Sequence, residues 1–106
     1  MGMELRVLGS SSSGNCYILD NGNEALIIEA GIRFIDVKKA LDFNIRKVVG
    51  CLITHQHNDH AKYAKAMVDC GFHVLALPEV IESKELKGSR VKAIKTGSGY
   101  LLGGFR

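Results

Sequence analysis

The sequence predicts an α/β fold, a mixed sheet with helices on one face. Short apolar runs rich in β-branched residues alternate with segments whose apolar residues recur at helical spacing. Two of the runs, Ala25 to Ile28 and Val48 to Ile53, have no polar face, as expected of strands buried on both sides. The chain has 106 residues, 46% of them hydrophobic and 24% charged. That composition suits one globular domain over residues 1–106, large enough to bury a core.

The elements follow in order. Glu4 to Leu8 alternates polar and apolar and predicts a strand. Gly9 to Asn15 is small and rich in hydroxyls, and predicts a loop. Cys16 to Leu19 is a second strand, and Asn21-Gly22 predicts a hairpin leading into Ala25 to Ile28, which ends at Glu29-Ala30-Gly31. Phe34, Val37, Leu41 and Ile45 share one face of a helix, with Lys38, Lys39 and Asp42 on the other side. Val48 to Ile53 is the next strand. Ala61 to Cys70 predicts a second helix with Ala64, Met67 and Val68 inward and Gly71 as its cap. Phe72 to Leu77 is a strand, Pro78 opens a short helix to about Leu86, and Arg90 to Lys95 alternates as a strand. Tyr100 to Leu102, Gly103-Gly104 and Phe105-Arg106 predict a hairpin whose second arm is too short to gain ladder hydrogen bonds. The chain is therefore expected to be the front part of a larger fold.

No apolar stretch is long enough to span a bilayer, and no apolar segment follows Met1 to Arg6 as in a secretory leader. Cys16, Cys51 and Cys70 are odd in number and form no C-x-x-C pair. They are expected as small core residues in a reducing cytoplasm. The net charge of +3 includes a cluster formed by Lys84, Lys87, Arg90, Lys92 and Lys95. No aromatic residue interleaves it, so a solvated face is the plainer reading and phosphate contact the alternative.

The chemistry concentrates at His55-Gln56-His57-Asn58-Asp59-His60, which holds three of the four histidines and a carboxylate. Imidazole and carboxylate suit zinc, manganese and iron. In extended chain leaving a strand, His55 and His57 point to one side and can converge on one ion. Asp59 and His60, at the start of the next helix, can be aimed at a second ion. Two close metals can share a hydroxide and polarise a phosphoryl or carbonyl oxygen. The plainer alternative is surface histidines around a helix capped by Asp59, but capping needs no histidine. His73 falls in a strand pattern and reads as a packed or surface residue.

Thr54-His55-Gln56-His57-Asn58-Asp59-His60 after a buried strand resembles the signature of the metallo-β-lactamase superfamily. Gly9-Ser10-Ser11-Ser12-Ser13-Gly14-Asn15-Cys16-Tyr17 resembles the start of a bacterial branch that includes DNA exonucleases. The resemblance implies the N-terminal half of a four-layer αββα sandwich. It implies that His55 and His57 bind one metal and Asp59 and His60 the other, with zinc or manganese as cofactor and Asp59 also a proton shuttle. Two departures stand out. The family places an aspartate where this chain has Glu29, a residue that buttresses the metal loop, and the family's later ligands lie beyond Arg106.

The expected parent function is thus metal-dependent hydrolysis, with phosphodiesters or nucleic acid foremost, and little activity in the isolated chain. The alternative is a non-catalytic half-domain that binds itself or a partner. The second face of the sheet is expected to be apolar and exposed over several hundred Å2. At roughly 25 cal/mol per Å2 its burial favours a homo-oligomer, most simply a two-fold dimer.

Overall fold

A computed structural model describes residues 2–95 and residue 105. Six strands form one sheet in the order β1-β2-β3-β4-β5-β6. They are β1 (Glu4–Ser11), β2 (Gly14–Asp20), β3 (Ala25–Ile28), β4 (Val48–Ile53), β5 (Val74–Ala76) and β6 (Val91–Ala93). The first three are antiparallel; β3 to β6 are parallel. The sheet is mixed because a tight hairpin needs only a few residues, whereas each parallel step needs a crossover. The helices α1 (Phe34–Ala40), α2 (Asn58–Ala61), α3 (Ala64–Asp69) and α4 (Pro78–Ser83) lie in those crossovers. None is long and apolar enough to cross a membrane.

Period-2 alternation divides the sheet into two unlike faces. The register places Cys16, Ile18, Ile27, Cys51, Ile53, Val74 and Ala76 on one face, and all are fully buried. They form one core with Val37 of α1, Ala64 and Met67 of α3 and Val80 of α4. The predicted helical layer is present on this face. On the other face, Leu5 and Val7 of β1 are exposed, while Leu26 and Leu75 at the centre are only 9% and 5% exposed. The apolar face is therefore not uniformly bare: Leu26 and Leu75 are covered, Leu19, Ile28 and Leu52 are partly exposed, and the fullest exposure lies on β1, at the edge.

Several boundaries differ from the sequence reading. The stretch Gly9 to Asn15 is not a loop: β1 continues to Ser11 and β2 begins at Gly14, leaving a turn of two serines. Small residues allow that pairing, since a Cβ on Gly9 would lie 2.7 Å from the Gly14 carbonyl oxygen. The first helix stops at Ala40, because Asp42 and Phe43 take positive φ of 51° and 60°, and Ile45–Lys47 forms a separate 3-10 turn. The predicted helix from Ala61 to Cys70 is split into α2, which starts three residues earlier, and α3. Cys16 and Cys51 are buried in the core as expected, Cys70 is partly buried, and all three are free thiols. His73 is exposed. The hairpin expected at Tyr100 to Arg106 lies outside the described residues except for Phe105, which is 5% exposed.

Candidate metal centre

The site sits where β3 and β4 end side by side, a position at which parallel strands deliver two loops to one edge. From β3 comes Glu29-Ala30-Gly31, and from β4 comes Thr54 to His60. Backbone hydrogen bonds join the two loops: Ala30 N–H donates to His60 O, and Tyr63 N–H donates to Ala30 O at 2.9 Å. Gly31 N–H reaches the third element, donating to Asn15 O of β2 at 2.9 Å. Only glycine fits at 31. A Cβ there would stand 2.0 Å from the Asp59 carbonyl oxygen and 2.7 Å from Asn15 N.

Glu29 is the deepest charged group of the site, 5% exposed, with a φ of 68°. For a residue other than glycine this backbone costs about 1 kcal/mol, a strain found most often at functional sites. Its carboxylate accepts the Thr54 N–H at 3.0 Å on Oε1 and the Thr54 hydroxyl on Oε2. The same hydroxyl lies 2.8 Å from His55 Nδ1. Glu29 Oε1 also lies 3.6 Å from His60 Nδ1, a buried atom with no hydrogen-bond partner. The His55 and His60 rings lean on each other with centroids 4.4 Å apart.

Asn15 holds the far side. Its Nδ2 donates to Ser11 O at 2.9 Å and Asp59 O at 3.0 Å, with Asp59 Oδ2 at 3.3 Å and His60 Nε2 at 3.5 Å sharing the same two protons. It is 8% exposed, so the turn end of the first hairpin is part of the site. Sequence reasoning missed Asn15. The available signal was its place directly after a Ser/Gly stretch too small to fill space by itself. Lys84, at the C-terminal end of α4, donates to Asn58 Oδ1 and ties that helix to the loop.

The four predicted ligands are not all brought together. His55 packs against His60, and His57 stands exposed at the N-cap of α2, lining the same cleft as His55. The N-cap of α2 is His57 and not Asp59. Asp59 Oδ2 and His60 Nε2 are 3.5 Å apart. Two ligands about 2.0–2.1 Å from one tetrahedral ion stand about 3.3 Å from each other, so this pair suits a shared ion. Among the described residues, the close group of potential ligand atoms is Glu29, His55 and His60, all within 4.8 Å of one another. Two imidazoles tilted against each other, with the Asp59 carboxylate 3.5 Å from His60 Nε2 and the buried Glu29 carboxylate behind them, make a set of groups that fits a divalent cation. Beside it, Thr54, His55, Gln56, His57, Leu77 and Glu79 line an open cleft of about 480 Å³.

Comparison with known proteins agrees with this architecture. Residues 10–69 match the family model of the metallo-beta-lactamase superfamily. Exodeoxyribonuclease YycJ of Bacillus anthracis is 35% identical over 65 residues, covering 58% of this chain and 25% of the relative. Exodeoxyribonuclease WalJ of Streptococcus pneumoniae serotype 2 is 33% identical over 63 residues, covering 57% and 23%. The match thus spans about a quarter of the length of these curated relatives. The metallo-beta-lactamase fold protein YhfI of Bacillus subtilis superposes with a TM-score of 0.72 at 15% identity, over 97% of this chain and half of that one. The chemotaxis sensor ODP, solved as a peroxy diiron species, gives 0.69 at 14% identity, over 87% of this chain and 40% of that one. With the family model matching more than half of its length, the chain belongs to the metallo-β-lactamase superfamily.

Proposed function

We propose that this chain supplies the first-half ligands of a two-metal hydrolase centre that acts on phosphodiesters, nucleic acid foremost. The observation that carries the reading is the convergence of imidazoles and carboxylates at the joined ends of β3 and β4. His55 and His57 would hold one ion, zinc or manganese, and Asp59 and His60 the other. His57 lines the cleft beside His55. The ions, when bound, supply a hydroxide at neutral pH and neutralise charge on the phosphoryl oxygens. Asp59, held by Asn15, would accept and return a proton as the leaving oxygen departs. The relatives named as exodeoxyribonucleases support DNA as the substrate class. Three free thiols suit the reducing cytoplasm.

Two ligands per ion fall short of the three protein ligands usual at catalytic zinc. We therefore expect weak or substoichiometric metal and negligible hydrolysis of DNA or a model phosphodiester by the 106-residue chain. Equilibrium dialysis with zinc and with manganese, and a DNA digestion assay, test this. His57→Ala should remove what binding exists. Two tightly held equivalents that survive this change would overturn the ligand assignment, and Asp59-dependent turnover would overturn the expected inactivity.

A second reading, self-association through the second face of the sheet, rests on Leu5 and Val7, 56% and 55% exposed on β1. Sedimentation at micromolar concentration should then show a dimer that Leu5→Lys dissociates. A monomer throughout that range would remove this reading.

A further inference from the structure

We propose that Glu29 sets the tautomer of two imidazoles at once, His55 through the Thr54 hydroxyl and His60 directly, so that both offer an unprotonated Nε2. Glu29 and Thr54 are then positioning residues rather than ligands. The inference rests on the metal-site reading above for its purpose, but not for its hydrogen-bond logic.

A carboxylate only accepts hydrogen bonds, and a threonine hydroxyl has one proton to give. Glu29 Oε2 takes that proton. The Thr54 oxygen can then offer His55 Nδ1, 2.8 Å away, only a lone pair. His55 must therefore carry its proton on Nδ1 and its lone pair on Nε2. At His60 the same carboxylate faces Nδ1 from 3.6 Å, and that nitrogen is buried with no other partner. A proton on Nδ1 is attracted to Glu29, whereas a lone pair there would face a negative oxygen in a dry site. His60 Nε2 then carries the lone pair, on the side where the Asn15 amide Nδ2, which can only donate, lies 3.5 Å away beside Asp59 Oδ2 at 3.5 Å. Both oxygens of Glu29 are engaged by Thr54, which leaves the carboxylate poorly placed to be a ligand itself. One methylene more than aspartate gives Glu29 the reach to lie between Thr54 and His60.

The substitution Glu29→Gln has a specific consequence. The Thr54 N–H needs an acceptor, so the amide oxygen takes the Oε1 position and the amide NH2 takes the Oε2 position. The NH2 now donates to the Thr54 oxygen, whose own proton turns to His55 Nδ1. The His55 tautomer reverses, while His60 still faces an oxygen and keeps its own.

Long-range proton–nitrogen NMR of the histidine-labelled, metal-free chain at about pH 8, above the usual imidazole titration, reads this directly. We expect Nδ1–H on His55 and His60 in the natural sequence. Glu29→Gln should move the His55 proton to Nε2 and spare His60. Thr54→Val should release His55 from its preference, and Thr54→Ser should restore it. Zinc affinity measured by competition with a chromophoric chelator should fall about 10–100-fold in Glu29→Gln and Thr54→Val, the usual effect of losing a partner of a metal-bound histidine. Nε2–H on His55 or on His60 in the natural sequence would overturn the proposal. So would an unchanged His55 in Glu29→Gln, or zinc absorption spectra that place Glu29 oxygen on the ion. Absence of any zinc binding would defeat the metal-site reading alone, since the metal-free spectra still decide the relay.

Discussion

Two carboxylates are buried in this molecule to the same depth, Asp20 at 6% exposure and Glu29 at 5%, at opposite ends of the β2–β3 hairpin, and they are treated very differently. Asp20 is saturated. It accepts the Gly22 N–H at 2.8 Å and the Lys47 ammonium at 2.7 Å, with the Arg6 guanidinium 3.6 Å away. Among the described residues, the basic side chain against Glu29 is the imidazole of His60, and its carboxylate accepts the N–H and hydroxyl of Thr54. A buried charge costs several kcal/mol unless paired, and a chain that needed only stability would pair both. The comparison separates a carboxylate that closes a structure from one that serves a site.

The site end should be the easier to break by crowding. Gly31→Ala would push a Cβ into the Asp59 carbonyl, which is backbone and can yield only if the His55–His60 loop moves. We expect a loss of about 3–4 kcal/mol, or failure to fold, by denaturant unfolding. A loss below about 1 kcal/mol would mean that the two loops are not clamped as described. At the other end, Lys47→Met leaves Asp20 with Arg6 alone. The loss should be about 2–3 kcal/mol, under the about 3–5 kcal/mol of a fully dry pair because Arg6 remains and Lys47 is partly exposed. Glu29→Gln keeps shape and most hydrogen bonds, so its cost in stability should be only about 1 kcal/mol. Equal stability losses for Lys47→Met and Glu29→Gln would erase the distinction between the two ends.

Reactivity of the thiols gives a milder contrast within the core. Burial pushes the Cys16 thiol up to about 12 and Cys51 well above its ordinary value; burial also raises Cys70, but that thiol is only partly buried and stays within reach of solvent. An alkylating reagent near neutral pH should modify Cys70 first and leave Cys16 and Cys51 until the chain unfolds. Mass spectrometry of partly modified chain reads the order, and early labelling of Cys51 would place it outside the core.

The sequence made some of this legible and hid the rest for identifiable reasons. The buried strand Val48–Ile53 and the histidine cluster after it were visible, because an apolar run and clustered ligands are local signals. The mixed sheet with helices on one face followed from the order of elements. Glu29 was visible only as a departure from the family's aspartate. That it reaches Thr54 and His60 depends on β3 and β4 being parallel neighbours, a pairing 25 residues apart in the chain. The Ser/Gly stretch was read as a loop because hydroxyl-rich composition usually marks one. Here, small side chains instead let β1 and β2 pair to their tips and bring Asn15 to Asp59. His57, the N-cap of α2, keeps the extended backbone on which the pairing with His55 was argued, and the two histidines line one cleft.

The smallest expected effect is the pH dependence of the Asp20 end. The Lys47 hydrogen bond, then the Gly22 N–H, hold the Asp20 carboxyl below its ordinary value of 3.8, against the opposing effect of burial. A depressed folded value means that the unfolded chain binds this proton first as the pH falls. The stabilisation is thus complete above the ordinary carboxylate range and is lost as pH drops through the lower, folded value. Asp20→Asn removes this contribution without altering the other carboxylates. Unfolding free energies of the two chains between pH 7 and about pH 2 should differ most at the neutral end and converge at the acid end. No such convergence is expected from Lys47→Met at neutral pH alone, so the comparison needs the acid limb. A difference between the two chains that stays constant down to the acid end would mean that Asp20 is not held ionised by Lys47. The two buried carboxylates would then be alike in having no effective counter-charge.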